Sequence, residues 1–419
     1  MDREKDSHFT RNVTGVATVE LFWGLGFPIV LESTFLQLFL KNLGASGFVI
    51  GLVPSVFIVG ISCFPLFASY LTRNIHKKRM VVLLLHLISG VSILLLGGVM
   101  LFTGEALIIP LFFTFYAIFS VFMGLTIPVW LNYLVRIFSE KKTVPGIGYM
   151  MLAQNIGKVI SSFFILGVVE KYAFSITSCS IIFIITGVLF VIGSMGFVIT
   201  KEVDDKPLTP VDTQGLFQHT ISGLKEMVGN RMFVTFLIAD LDFYVVVTTM
   251  SFYANYATEF FSIPQAIAAG LFVGCIYGGS IAVNITLGTL DILSLKGKFI
   301  LSKCLSLIAL LLLALAPGYG SFLLISFLLG GVRAIRNMVY TPSVKKLSAK
   351  EDVTSYFALA PIVTLPVGLG YPMIFGKMLD TLAFLGADSY RLLFMFSAMF
   401  VLVTAYFTLK TDYTHEKKT

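Results

Sequence analysis

From Val13 to Leu409 the chain is a succession of apolar runs, each about 18 to 30 residues long and poor in charge. A hydrocarbon core about 30 Å thick is crossed by about 20 helical residues, so every run is long enough to span a bilayer. Only 13% of the residues are charged, where a soluble domain carries about a quarter. The alternating pattern of a transmembrane β-barrel is absent. The expected fold is therefore all-α and integral to the membrane. Twelve spans can be delimited: Val13–Leu40, Phe48–Leu71, Met80–Phe102, Leu107–Phe138, Ile147–Val169, Phe174–Ile199, Met232–Phe261, Ala266–Leu290, Phe299–Ala316, Phe322–Val344, Tyr356–Leu385 and Leu392–Leu409.

The net charge of +7 is distributed as a topology signal and gives no reason to expect nucleic acid as a partner. Of the 30 Lys and Arg residues, four lie on one side of the predicted membrane (Lys41, Lys171, Lys377, Arg391) and four lie within spans (Lys158, Lys303, Arg333, Arg336). All the others fall in the tails and loops of the opposite side. The positive-inside rule places that side, with both termini, in the cytoplasm. The compact loops and short tails favour a bacterial inner (plasma) membrane. The first apolar run has no cleavage site after it and is expected to be retained. Cys63, Cys179, Cys275 and Cys304 sit in apolar segments without disulfide or metal-ligand spacing, so they are expected to pack as small residues.

One long connection, Lys201 to Arg231, holds Pro207, Pro210 and a polar run. It divides the chain into residues 1–200, a cytoplasmic linker 201–231, and residues 232–419, with six spans on either side. Within the linker, Phe217, Ile221, Leu224 and Val228 share one helical face, as a helix lying on the membrane surface requires. The halves repeat weakly. Gly51 to Ser69 and Gly270 to Gly288 are equal intervals offset by 219 residues, each followed by a short basic loop. Repeated halves are a mark of secondary transporters.

Twelve spans as six plus six, cytoplasmic termini, a central loop and basic loops after spans two and eight resemble the major facilitator superfamily over essentially the whole chain. The family's loop pattern Gly-x-Leu-x-Asp-Arg-x-Gly-Arg-Arg is degenerate here. It runs from Ser69 through Leu71 to Lys77 and Lys78, with Arg73 near the aspartate position, and the second copy keeps Gly288, Leu290 and Asp291. The resemblance implies that Arg73, Lys77, Lys78 and Asp291 belong to gating loops. Span five carries Gly148 and, eight residues on, Gly157-Lys158 followed by Ser161-Ser162. The family's antiporters have proline and glycines there, so the departure argues against a drug antiporter. The resemblance further implies two pseudo-symmetric six-helix bundles that act by alternating access. Spans one, four, seven and ten would line a central cavity, and spans three, six, nine and twelve would lie outside.

The intramembrane charges favour the implied cavity helices. An arginine at mid-bilayer costs at least about 2.5 kcal/mol, so each such residue needs a partner or a task. Span one has Glu20 and Glu32, span five Lys158, span seven Asp240 and Asp242, and span ten Arg333 and Arg336. Arg333, Arg336, Asn337 and Tyr340 fall at i, i+3, i+4 and i+7 on one helical face. The arginines' nearest expected partners are Asp240 and Asp242. Residues two apart point about 200° apart on a helix, so one aspartate is expected to pair directly. Two readings stand side by side: a buried structural ion pair, or arginines that grip a carboxylate or phosphate of a solute. Lys158 is either a solute ligand or a partner of Glu20 or Glu32. Glu32, in the glycine- and proline-broken stretch GLGFPIVLEST, and Glu20 are the candidate proton-coupling groups.

These residues point to a secondary transporter, acting as a monomer, that moves a small polar solute, anionic or zwitterionic by the mixed charge belt, with protons as the coupling ion. Efflux of amphipathic compounds and transport of a divalent metal through Asp240-Leu241-Asp242 are alternatives. A membrane enzyme or a non-transporting receptor is the alternative of another class. Five scattered histidines, no HExxH and no phosphate-binding loop leave no catalytic set to name, so neither an enzyme activity nor a cofactor or bound metal is expected.

Overall fold

The computed structural model describes residues 2–31, 34–72, 75, 77–203, 216–290, 292–348 and 354–411. Of the described residues, 90% are helical, and no strand occurs among them. Among the described residues, twelve helices are long and apolar enough to cross a membrane. Spans one to six are Phe9–Asn42, Gly47–Ala68, Lys78–Met100, Glu105–Ile137, Lys141–Tyr172 and Ile176–Ile199. Spans seven to twelve are Arg231–Phe260, Ile267–Thr289, Leu295–Leu315, Tyr319–Ser348, Tyr356–Thr381 and Ala387–Lys410. The chain is a multi-pass membrane protein. A helix satisfies its backbone internally, which a water-free hydrocarbon core demands. Large apolar side chains such as Phe163, Phe396 and Leu402 stand more than half exposed. A soluble protein could not present so much apolar surface to water, but acyl chains cover it at no cost.

Contacts group the chain into two units, Met1–Leu43 with Val56–Thr213, and Gly44–Ser55 with Gln214–Thr419. In the first unit, span one packs on spans five and six, and span three on spans four and six. In the second, span seven packs on spans eleven and twelve, and span nine on spans ten and twelve. The pairings of one unit thus recur in the other six helices later.

Small residues set the helix separations. Span one meets span five where a Cβ on Gly24 would strike the Gln154 carbonyl and a Cβ on Gly157 would strike the Leu21 carbonyl. Span eight meets span ten in the same way, Gly279 lying against the Phe327 carbonyl and Gly330 against that of Ile276. Such backbone proximity is how helices associate where lipid removes the hydrophobic drive.

The first half of span two belongs to the second unit. Asp380, near the end of span eleven, accepts from the Gly47 and Phe48 backbone N–H groups at 2.6 and 2.9 Å. Two turns further along span two, Ser55 Oγ donates to the Leu369 carbonyl at 2.9 Å. The carboxylate thus occupies the amide end of a helix, where unpaired N–H groups and the helix dipole favour negative charge.

The central connection forms the helix Leu216–Gly229, with residues 204–215 outside the described set. Glu226 on this helix accepts from the Tyr356 hydroxyl of span eleven at 3.2 Å. Ile221 and Val228 are exposed and Met227 is buried, so one side of the helix docks and another remains apolar and open. Span eleven keeps Pro361, Pro366 and Pro372 within one helix, Thr354–Thr381.

Candidate functional site

In the first unit the polar centre lies between spans one and five. Glu20 is 6% exposed and accepts a hydrogen bond from Gln154 Nε2. Gln154 and Lys158 are one turn apart on span five. The Lys158 charge acts on Glu20, and its Nζ lies 5.5 Å from the Phe27 ring centroid. The tight glycine contact between the two helices brings this trio together. Glu20 is therefore a buried carboxylate held by a neutral amide beside a lysine that is not itself fully buried. Further along span five Ser161 is buried, and its hydroxyl has no hydrogen-bond partner.

His86 takes no part in that centre. Its ring packs 4.8 Å from both Trp23 and Phe197, and its Nδ1 meets the Val82 carbonyl of its own helix at 2.8 Å. At the end of the unit that carries the basic loop, Glu202 caps span three. Its carboxylate accepts from the backbone N–H groups of Lys78 and Arg79 at 2.9 and 2.8 Å. It also meets Arg136 of span four at 3.4 Å. Lys78 turns its Nζ back onto the Thr72 carbonyl.

In the second unit two ion pairs lie side by side at a break in span seven. The helix Arg231–Asp240 ends, Leu241 forms a tightened turn, and a second helix runs Asp242–Phe260. Asp240 receives Arg336 of span ten, with Nη2 to Oδ2 at 2.8 Å and Nε 3.2 Å from both oxygens. The Arg336 guanidinium lies 4.1 Å from the Phe243 centroid and 4.3 Å from that of Tyr340. Stacking on two rings suits a planar, weakly hydrated cation. Asp242 pairs with Lys303 of span nine. The lysine also donates to the Ala239 carbonyl at 2.6 Å, one of the backbone groups released where the helix breaks. Lys303 and Asp242 are 2% and 4% exposed.

The structure brings Asp240, Arg336 and Tyr340 together. It sends Asp242 to a different cation, as two aspartates on opposite sides of a helix require. Arg333 lies about one turn before Arg336 on span ten, 6.0 Å from the Tyr277 ring centroid, and Asn337 is exposed, outside the pair. Glu20 and Lys158 come near enough for the lysine's charge to act on the carboxylate. Glu32, Arg73 and Asp291 lie outside the described residues, while Lys77 and Lys78 border the start of span three. Span seven does break at Leu241, as metal capture would need, but each flanking carboxylate is taken by a basic side chain.

Lys303 brings a cation from span nine, a helix expected to lie outside, to a carboxylate of span seven. Its side chain is long enough to carry a cation inward from an outer helix. A lone lysine within an apolar run was the available signal. Gln154, Glu202 and Asp380 gave weaker ones, because uncharged amides and residues at helix ends are common and only the fold shows what they meet.

A family model described as Major Facilitator Superfamily matches residues 21–335. No curated protein matches the chain by sequence. Solved structures do match its fold. The nucleoside transporter NupG is 14% identical, with a TM-score of 0.71, over 97% of this chain and 100% of that one. A POT family transporter in complex with 5-aminolevulinic acid is 14% identical, with a TM-score of 0.71, over 96% of both chains. A bacterial homologue of the human lysosomal transporter Spinster is 13% identical, with a TM-score of 0.65, over 97% of this chain and 96% of that one. With twelve candidate spans among the described residues and a family match over most of its length, the chain belongs to the major facilitator superfamily.

Proposed function

We propose that this protein is a secondary active transporter that moves a small polar organic solute across a bacterial inner membrane by alternating access, coupled to protons. The observation that carries this reading is the Glu20–Gln154–Lys158 centre. A carboxylate this deep in a membrane helix is costly, and a neutral amide partner leaves it able to take and release a proton without losing its hydrogen bond. Fold-level likeness to nucleoside, POT family and Spinster transporters supports transport as the activity and leaves the solute to be decided by the site. Residues 1–200 and 232–419 act as the two moving halves, with the linker and both termini in the cytoplasm, and the monomer suffices.

Within this reading Asp240, Asp242 and Arg336 are structural. Lys158 of span five and Arg333 and Asn337 of span ten are assigned to the solute path, while Tyr340 stacks on Arg336. Glu20 carries the coupling proton, with Glu32 a second candidate in span one. Lys77, Lys78, Arg73 and Asp291 serve the loops that steady one conformation.

The test is uptake into proteoliposomes under an inward proton gradient, with labelled uridine, glucose, lactate, glycerol 3-phosphate and tetraphenylphosphonium. Accumulation of a polar solute that collapses with the gradient is expected. Accumulation of tetraphenylphosphonium alone would favour the amphipathic-efflux reading, and no movement of any probe would contradict transport of these classes.

A further inference from the structure

We propose that Asn255 of span seven is a solute-binding residue and that the solute is uncharged there, presenting a hydrogen-bond donor next to an acceptor. This inference rests on the transporter reading and deepens it.

Asn255 is 1% exposed, and neither its Nδ2 nor its Oδ1 has a hydrogen-bond partner. Buried amides are almost always satisfied, and an orphan of this kind calls for an explanation. Its surroundings on the helix sharpen the point. Tyr244, Thr248, Ser251 and Asn255 are spaced at i, i+4, i+7 and i+11, one face of span seven. The other three are satisfied. Tyr244 meets the Thr364 hydroxyl at 2.7 Å, Thr248 bonds the Tyr244 carbonyl at 2.7 Å, and Ser251 bonds the Val247 carbonyl at 2.9 Å. Asn255 alone in this stripe is unpaired, at the end far from the Asp240–Arg336 pair.

The first unit repeats the feature. Gln37 of span one is 1% exposed with an unpartnered Oε1. The 219-residue offset between the halves carries position 37 to 256, one residue from Asn255. Both halves therefore place a buried amide with unmet hydrogen-bonding capacity within one residue of the offset position on their first span. A polar group kept at a cost in one conformation is one the protein uses in another.

The chemistry of the group names the ligand class. A primary amide both donates and accepts and carries no charge. The deep carboxylates of the second unit are already neutralised by Arg336 and Lys303. Asn255 thus offers hydrogen bonds without a charge of its own, which suits hydroxyls, amides or a heterocycle edge and gives little to a lone carboxylate or phosphate.

The test measures thermal stability of full-length wild type, Asn255→Leu and Asn255→Ser, alone and with graded uridine, glucose, lactate or glycerol 3-phosphate. A bound solute raises Tm by mass action. The expected result is a Tm rise with uridine or glucose in wild type and an apparent affinity at least about tenfold weaker in Asn255→Leu. Asn255→Leu alone should be as stable as wild type or more so, and Asn255→Ser should keep part of the affinity. A wild-type response retained in Asn255→Leu overturns the assignment and leaves the transporter reading intact. So does a response to lactate or glycerol 3-phosphate only. A lowered Tm of Asn255→Leu without solute shows that the amide is held by a buried water or other structural partner, and also overturns it. No response to any probe in wild type, together with no uptake of any, removes both readings.

Discussion

The two units solve the problem of intramembrane charge differently. In the second, Asp240 and Asp242 each close onto a cation, Arg336 and Lys303, and the cations are further held by aromatic rings and by the Ala239 carbonyl. In the first, Glu20 is held by Gln154, a neutral amide, with the half-buried Lys158 acting at longer range. A closed pair is rigid and has nothing to exchange. A carboxylate on an amide keeps its proton equilibrium available. The same fold, repeated, thus carries one centre suited to holding helices and one suited to work.

The sharpest way to break this contrast is to open the closed pairs. Lys303→Met strands Asp242 and frees the Ala239 carbonyl, so unfolding stability in detergent should fall by about 3–5 kcal/mol. Arg336→Leu should cost about 3 kcal/mol, at the lower end of that range because its side chain is 23% exposed. The double variant Asp240→Leu with Arg336→Leu should recover most of that loss, since apolar residues replace a buried pair with little penalty. Failure of the double variant to recover would show that Arg336 does more than neutralise Asp240. Glu20→Gln should behave in the opposite manner. It removes a charge and leaves an amide in place, so stability should change by less than about 1 kcal/mol, while gradient-driven accumulation in proteoliposomes is lost and solute exchange persists. The smallest effect is expected at the span-two contact. Asp380→Asn loses a charge at a helix amide end and should cost about 0.5–1 kcal/mol, read as a shift in the thermal midpoint.

The contrast was partly legible beforehand. Apolar run lengths and the placement of Lys and Arg are direct consequences of the bilayer as solvent, so the twelve spans could be read with ends only a few residues displaced. Asp240, Arg336, Glu20 and Lys158 stood out because a charge in such a run has few bland explanations. Their partners were harder. Arg336 could have met either aspartate, and the choice depends on which way each residue faces at the break around Leu241. Lys303 sits on span nine, which the family resemblance implies lies outside, and only the length of its side chain carries its charge to Asp242. Gln154 and Asn255 carry no charge, and among so many residues only burial distinguishes them from ordinary helix surface. Asp380 acts through the backbone of Gly47 and Phe48, which no side-chain pattern reveals.

The measurement that bears most directly on this division of labour is gradient-driven uptake of the responding solute by Glu20→Gln and by Asp240→Leu with Arg336→Leu, side by side in proteoliposomes at matched protein content. Accumulation retained in the double variant and abolished in Glu20→Gln, with exchange intact, is the predicted result. Accumulation abolished in a folded double variant and retained in Glu20→Gln would contradict it, and would move the working centre to the second unit.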